Sequence, residues 1–290
     1  MVTLGADALA RFPRFTRYNS PYVAHREGRA IDLYPGTEMA PSPVDGEVRD
    51  TKTMACPTRP YAEPNDHLIV IDTGGQLARV LHVEPSVEPG DQVTIGDELG
   101  RLVRSGYFAP WVDNHVHLGF RAYGADPVRA SGSLRIEVET EIDAVPWDGT
   151  GTVVETGSTY ATLDSPAHPA PTERYVGIAD DTGRFLLDGG IPHYPNGGIV
   201  PVPSRSTVDS ADRLPDPTAA DGSVALLGTT LGRATGQELP WESVRVLANE
   251  TEIMGLSFFL GRDAIFAKLI CPDTSFPEGE AVSVRLERTD

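Results

Sequence analysis

Asp113-Asn114-His115-Val116-His117-Leu118-Gly119-Phe120 is a short alternating segment toward the end of the first half of the chain. Val116, Leu118 and Phe120 fall on one parity, and the two histidines fall on the other. Side chains two residues apart share one face of a β-strand, so this pattern predicts a strand with one apolar face and both imidazoles on the opposite face. On an exposed face such a pair would be unremarkable. Beside a carboxylate in a groove, it would form a metal site.

The surrounding sequence predicts an all-β fold. The chain has 290 residues with 29 glycines and 25 prolines, and these are scattered rather than repeated. That punctuation is typical of short strands joined by turns, and no apolar pattern of helical period is sustained. The length allows two domains of ordinary size. A change in character near Val145 predicts a first domain over residues 1–143 and a second, β-rich accessory domain over residues 144–290.

Several segments carry the strand pattern outside the histidine stretch. In the first half, a strand is predicted from His25 to Gly36, and a strand–turn–strand unit covers residues 67–83 around Thr73-Gly74-Gly75. A further strand near residues 134–142 is expected to close the sheet. In the second half, strands are predicted within residues 175–202 and at residues 224–227, 243–247 and 281–286. A polar, proline-containing loop is predicted over residues 204–221.

The charge of the chain limits its partners. Aspartate and glutamate number 42 against 24 lysines and arginines, which gives a net charge of −18 at pH 7. Such a surface repels nucleic acid and anionic membranes, so neither is expected as a partner. Lys52 and Lys268 are the two lysines. An acidic surface so poor in lysine resembles that of proteins from extreme halophiles, in which strong salt screens the self-repulsion.

Cysteine content and the N-terminus bear on the compartment. Cys56 and Cys271 have no paired spacing, so two separate thiols are expected, although a disulfide stays open. Met1 to Arg14 contains no apolar core of a signal peptide, and no stretch reaches the length of a membrane span. These features predict a cytoplasmic protein without membrane insertion. The sequence leaves the oligomeric state open.

Five short motifs, one of them within the histidine stretch, occur in register with one another. They are His25…Ala30-Ile31-Asp32, Ala40-Pro41-Ser42-Pro43-Val44-Asp45-Gly46, Leu81-His82-Val83, the glycine-punctuated run Val87 to Gly100, and His115-Val116-His117-Leu118. In order and spacing, residues 22–121 resemble the M23 family, the lysostaphin- and LytM-type zinc metallopeptidases. The resemblance implies a compact β-sandwich of the duplicated-hybrid-motif type for the first domain.

The same resemblance implies a catalytic site. His25, Asp32 and His117 would bind one Zn²⁺ per chain, leaving a coordination position open for water, as catalytic zinc sites do. His82 and His115 would flank that position, transfer a proton and stabilise the oxyanion. The expected activity is hydrolysis of a peptide or amide bond in a peptide or protein substrate, without a covalent intermediate.

One departure and two alternatives accompany this interpretation. Many family members place the first two ligands four residues apart, whereas His25 and Asp32 are seven apart, which leaves Glu27 as a substitute ligand if His25 is not one. A non-catalytic relative that serves as a binding or scaffold module is the main alternative. A lipoyl or biotinyl carrier, or a phosphotransfer module, shares the glycine-punctuated pattern, but Lys52 and Lys268 do not lie in the hairpin turn that a carrier requires.

Three other histidines enter no site in this interpretation. His67 matches no catalytic position of the family and is expected to be structural. His168 and His193 lie in proline- and glycine-rich segments of the second half and receive no role.

Overall fold

The computed structural model describes residues 1–129, 131–202 and 222–289. The loop predicted over residues 204–221 lies outside these residues. The chain divides into two compact units. The first unit comprises Met1–Phe15 and Val23–Thr140, and the second comprises Thr16–Tyr22 and Glu141–Asp290.

Both units are built almost entirely of strands, so the predicted all-β class is confirmed. In the first unit the elements are β1 (Val2–Leu4), α1 (Ala6–Leu9), α2 (Val23–Arg26), β3 (Ala30–Tyr34), β4 (Met39–Pro41), β5 (Gly46–Ala55), β6 (Asn65–Asp72), β7 (Gln76–Leu81), β8 (Val83–Pro85), β9 (Gln92–Val93), β10 (Glu98–Leu102), β11 (Val116–Ala122) and β12 (Ile136–Val138). Strand β2 (Arg14–Thr16) lies where the chain leaves the first unit. The second unit contains β13 (Ile142–Val145), β14 (Thr150–Thr156), β15 (Tyr160–Leu163), β16 (Tyr175–Ile178), β17 (Phe185–Ile191), β18 (Asn196–Pro201), β19 (Ser223–Leu226), β20 (Thr229–Arg233), β21 (Glu238–Pro240), β22 (Val244–Ala248), β23 (Thr251–Ile253), β24 (Gly255–Phe258), β25 (Leu260–Gly261), β26 (Lys268–Ile270) and β27 (Ala281–Arg288).

The main sheet of the first unit runs in the order β3-β11-β7-β6-β5-β9, and the neighbouring strands are antiparallel. Directly opposed side chains in such a sheet point to the same face. One face carries the row Ile31, Leu118, Val80 and Ile69, all fully buried, and is therefore the core face. The alternating pattern of the histidine stretch thus folds as predicted from Val116 onwards.

The opposite face of the same sheet carries the functional candidates, and we call it the site face. Asp32, His117 and Leu81 lie opposite one another on β3, β11 and β7. Two residues further along β11, Gly119 lies opposite Arg79. Because β-strands alternate strictly, the register that buries Leu118 also places His117 and Asp32 together.

Two smaller elements complete the first unit. Strands β4, β10 and β8 form a three-stranded antiparallel sheet in that order. The strand that was expected near residues 134–142 to close the sheet is shorter than predicted, and it does not join the main sheet. Instead, β12 forms a separate two-stranded parallel sheet with β1, so this prediction was wrong. At Gly100, in the middle of the small sheet, φ is +144°, and a Cβ atom would overlap the Glu84 carbonyl oxygen. A glycine is required there because the two backbones approach so closely.

The segment that was predicted as a strand from His25 to Gly36 contains two elements. His25 lies on the short helix α2, and the strand begins only at Ala30. Gly28, with φ of +63°, makes the turn between them. A glycine adopts this left-handed conformation without steric cost, so the chain can reverse within three residues. The prediction was wrong for residues 25–29 because α2 is a single turn, too short to display a helical period.

The second unit contains a sheet in the order β21-β18-β17-β24-β26-β15-β14-β27-β22-β23, the hairpin β19–β20, and β13-β16-β25. Its core includes Leu187, Ile199, Leu256 and Leu269. The strands predicted within residues 175–202 and near residues 224, 244 and 281 are present. No helix among the described residues is long and apolar enough to span a membrane.

Residues 16–22 form part of the second unit although they lie more than a hundred residues before it in sequence. Asp188 on β17 is fully buried and accepts hydrogen bonds from the Thr16 hydroxyl and from the Arg17 backbone N–H, the latter at 2.7 Å. Burial raises the pKa of Asp188 to about 6, against the hydrogen bonds that it accepts. This buried carboxyl anchors the segment.

Candidate metal centre

Three side-chain atoms converge at one end of the site face. Asp32 Oδ1 lies 2.9 Å from His117 Nδ1 and 3.3 Å from His25 Nε2. The two ring nitrogens are 3.2 Å apart. These three residues form the candidate metal group found among the described residues.

The spacing of these atoms fits a single zinc ion. Zinc–ligand bonds of about 2.0–2.1 Å in a tetrahedron place neighbouring ligand atoms about 3.3 Å apart. The three distances in the site, 2.9, 3.2 and 3.3 Å, lie close to that value. Two imidazoles and one carboxylate are also a ligand set that zinc accepts. The residues therefore fit a zinc ion, and a fourth coordination position would remain open.

The fold brings each of the three residues to this point. Asp32 and His117 are directly opposed on β3 and β11. His25 reaches the same point from α2, and the Gly28 turn supplies the reversal that the seven-residue spacing needs. His25 and Asp32 are buried, at 1% and 4% exposure, while the His117 side chain retains 17%. The site therefore opens to solvent on the side of His117.

Electrostatics favour the protonation states that a metal site requires. Burial by itself raises the pKa of Asp32, but the nearby imidazoles, His115 first and then His25, lower it well below its usual range. Burial lowers the pKa of His117 to about 4, against the opposing effect of Asp32. At neutral pH the carboxyl is thus ionised and the His117 imidazole is neutral, as metal binding demands.

His82 lies beside this group in a fixed orientation. Its ring centroid is 5.7 Å from that of His117. Its Nδ1 donates a hydrogen bond to Asp66 Oδ2 at 2.7 Å, so Nε2 is the nitrogen available for proton transfer. Ser105 Oγ donates to the same carboxylate oxygen at 2.8 Å, and the His67 backbone N–H donates to Oδ1 at 2.8 Å.

His115 is the second flanking imidazole. Its Nδ1 donates to the Asp113 carbonyl oxygen at 2.8 Å, and its Nε2 lies 3.4 Å from Asp32 Oδ1. The ring stacks on Phe108, with centroids 4.4 Å apart, and contacts Tyr34. Burial lowers the pKa of His115 to about 4, so this ring is also neutral at pH 7.

The structure thus brings together the five predicted residues His25, Asp32, His82, His115 and His117. Glu27, the substitute ligand, instead forms an ion pair with Arg29 at 2.8 Å. His67 Nδ1 lies 3.1 Å from Thr53 Oγ1, outside the three-residue group. His168 and His193 belong to the second unit.

Sequence reasoning missed the residues that hold the two flanking imidazoles, chiefly Asp66, Ser105 and Phe108. One signal was available for Asp66. The turn at residues 73–75 sets the register of the β6–β7 hairpin, in which Leu68 opposes Leu81. Extending that register by one pair places His82 opposite His67 and next to Asp66.

Comparison with known families gives the membership of the chain. Residues 3–138 match the N-terminal domain, and residues 143–287 the C-terminal domain, of the domain of unknown function DUF8155. The chain belongs to the DUF8155 family. No curated protein and no solved structure matches it. The metal group lies wholly within the part that matches the DUF8155 N-terminal domain, and the two structural units meet in sequence between the two matched regions.

Proposed function

We propose that the first unit of this DUF8155 protein is a zinc-dependent peptidase of the M23 type. The observation that carries the proposal is the convergence of His25 Nε2, Asp32 Oδ1 and His117 Nδ1, with two further neutral or oriented imidazoles beside them. A purely structural ion would need a fourth ligand rather than two flanking proton carriers. The motif order that resembles the M23 family supports the same conclusion.

Each residue then has a defined task. When bound by these three residues, zinc would polarise the scissile carbonyl and lower the pKa of a water molecule. His82 Nε2 accepts a proton, while Asp66 stabilises the positive charge that develops on the ring. His115 carries its proton on Nδ1, which donates to the Asp113 carbonyl, so its Nε2 is unprotonated in the neutral ring. His115 Nε2 would therefore first accept a proton and then donate it to the developing oxyanion or to the leaving amine.

The test is turnover of a peptide library by the zinc-loaded full chain, with His82→Gln and His115→Gln as the variants. Both variants are expected to retain zinc and to lose turnover by a factor of about 10²–10⁴, the usual contribution of a general acid or base. His168→Gln, in the second unit, is the matched control and should cleave like the parent chain. Undiminished cleavage by either site variant would remove that residue from the mechanism.

A non-catalytic metal-binding module is the second candidate, and one observation favours it. His25, Asp32, His82 and His115 are all less than 9% exposed, and His117, with 17% of its side chain exposed, is the most accessible residue of the group. An ion needs less access than a peptide chain does. Zinc binding without cleavage of any library peptide would favour this candidate over the peptidase.

A further inference from the structure

Two buried arginines lie on the site face beyond the metal centre. Arg79 opposes Gly119 on the neighbouring strand, and Arg121 follows two residues later on the same strand. Residues at this spacing share a face, so both side chains project from the same side of the sheet as His117. Gly119 lies two residues after His117 on β11, so the Arg79–Gly119 pair is about 7 Å along the strand from His117.

The two guanidinium groups differ in how they are satisfied. Arg121 is fully buried and donates to the Ser133 hydroxyl and, at 2.6 Å, to the Arg129 carbonyl oxygen. Arg79 is only 7% exposed, yet within the described residues its guanidinium has no hydrogen bond or ion pair. The Nε atoms of both arginines are shielded from solvent and unpaired, but only Arg121 has hydrogen bonds from its other guanidinium nitrogens. Shielding the Nε of a charged guanidinium without a hydrogen-bond partner is costly, and a ligand that pairs with this group would remove the cost.

The local charge supports a negatively charged ligand. Burial, and then repulsion by Arg121, lowers the pKa of Arg79 to about 10. The charge of Asp126 partly opposes this lowering of the Arg79 pKa, but Asp126 is about half exposed and its carboxylate lies 3.7 Å from the Arg129 side chain. Five other arginines of the first unit have close carboxylates, such as Arg49 with Asp72 at 2.8 Å and Arg101 with Glu63 at 3.1 Å. In a chain of net charge −18, an unpaired buried cation is therefore unexpected.

We propose that a binding subsite for an oxyanion is formed by Arg79, Arg121 and Ser133. The oxyanion is either a carboxylate or a small tetrahedral anion such as sulfate or phosphate. Arg79 supplies a planar fork of N–H donors, which matches a carboxylate or a phosphate-like group in bidentate fashion. Arg121 supplies positive potential and is held in place by its own hydrogen bonds. The source of the oxyanion rests on the proposed function: in a peptidase it is a carboxylate of the substrate, close to the scissile bond.

The first experiment tests the subsite without activity. Thermal unfolding of the full chain is followed while chloride is replaced by sulfate or phosphate at constant ionic strength. The parent chain is expected to gain stability with the oxyanion, and Arg79→Gln should bind it at least about tenfold more weakly, the effect of losing charge-assisted hydrogen bonds. Arg59→Gln, an exposed arginine of the same unit, is the control. Equal stabilisation of the Arg79→Gln variant, or none in the parent, would overturn the proposal.

Arg79→Gln is expected to fold, because it removes a buried charge that has no partner. Arg79→Lys keeps the charge but loses the fork and should bind the oxyanion weakly as well. If the lysine variant bound like the parent chain, the bidentate subsite would be contradicted.

The second experiment distinguishes the sources of the oxyanion. Peptides with a free carboxylate and their amidated counterparts are compared as ligands of the zinc-loaded chain. A preference of about tenfold for the carboxylate form, abolished by Arg79→Gln, would assign the subsite to the substrate. Equal binding of both forms, together with sulfate binding, would assign it to a free anion. Either result supports the subsite. Both are binding measurements, so an absence of peptidase activity would count against the proposed function and not against the subsite.

Discussion

At the scale of single residues, His82 shows how the fold holds an imidazole beside the candidate metal group. Its φ of 68° lies in the left-handed region, which a residue with a Cβ atom adopts at a cost on the order of 1 kcal/mol or more. Its backbone N–H donates to the His67 carbonyl oxygen at 3.1 Å, and its own carbonyl accepts from Val103 at 2.9 Å. These two backbone hydrogen bonds hold His82 in its strained conformation between β7 and β8. Strained backbone of this kind is concentrated at functional sites.

Asp66 is expected to position His82 for proton transfer. Asp66→Asn would keep the shape of the side chain but remove the charge that fixes the ring and stabilises its protonated form. The kcat for peptide cleavage should fall at least about tenfold, with zinc content and KM little changed. Asp50→Asn, at a surface position of β5, is the control. An unchanged kcat in the Asp66 variant would show that the hydrogen bond is structural only.

The flanking histidines also predict a pH dependence of stability. In the metal-free chain the pKa of His115 is about 4, against about 6.5 in an unfolded chain. The folded chain therefore binds fewer protons between these values, so this stabilisation is complete above pH 6.5 and is lost as the pH falls toward 4. The total change is on the order of a few kcal/mol.

The measurement is the thermal midpoint of chelator-treated protein from neutral pH down to about pH 4.5. Over this range histidine becomes protonated in the unfolded chain, while His115 stays mostly neutral in the folded chain. The parent chain should lose more stability than His115→Gln over this interval. The comparison is needed because the raised pKa of Asp188, about 6, acts in the opposite direction. Parallel curves for the two proteins would contradict the shifted pKa of His115.

At the scale of strands, the small sheet β4-β10-β8 depends on one glycine. Gly100→Ala would drive a Cβ atom into the Glu84 carbonyl, in a conformation that also disfavours side chains. The free energy of unfolding should fall by about 2 kcal/mol or more. Gly75→Ala is the matched control, because a Cβ atom there meets no described atom within 4 Å and φ is not positive. Denaturant titration of both variants gives the comparison, and equal stability would refute the close approach.

Much of the site could be predicted at this scale. Strict alternation in the stretch from Val116 to Phe120 is enough to place His117 on one face, and motif order is enough to bring Asp32 and His25 to it. The turn at Gly28 and the single-turn helix α2 could not be read, since one helical turn has no period. Ser105 and Phe108 lie in a loop between strands, where no periodicity indicates which side chains point toward the site.

At the scale of the whole molecule, the two units are not simply consecutive in sequence, because a segment within the first belongs to the second. Thr16–Tyr22 belongs to the second unit, and Asp188 holds it through buried hydrogen bonds. A boundary between residues 143 and 144, as the sequence predicts, does not describe this segment. Composition could not reveal it, because the partner of Thr16 is 172 residues away in sequence.

Asp188→Ala is expected to destabilise the second unit. The substitution leaves the Thr16 hydroxyl and the Arg17 backbone N–H without their acceptor, at a cost of about 1–3 kcal/mol for each buried group. Asp273→Ala, an exposed aspartate of the same unit, is the control. Hydrogen exchange should report faster exchange at residues 16–22 in the Asp188 variant alone. Unaltered protection there would show that other contacts hold the segment.

The zinc content of the chain is the most direct test of the metal centre. Protein purified in strong salt without chelator is analysed by mass spectrometry, beside His117→Ala and the control His168→Ala. About one zinc per chain is expected in the parent and the control, and none in His117→Ala, because two ligands rarely retain zinc. No zinc in the parent after reconstitution at neutral pH, or full zinc in His117→Ala, would contradict the proposed site.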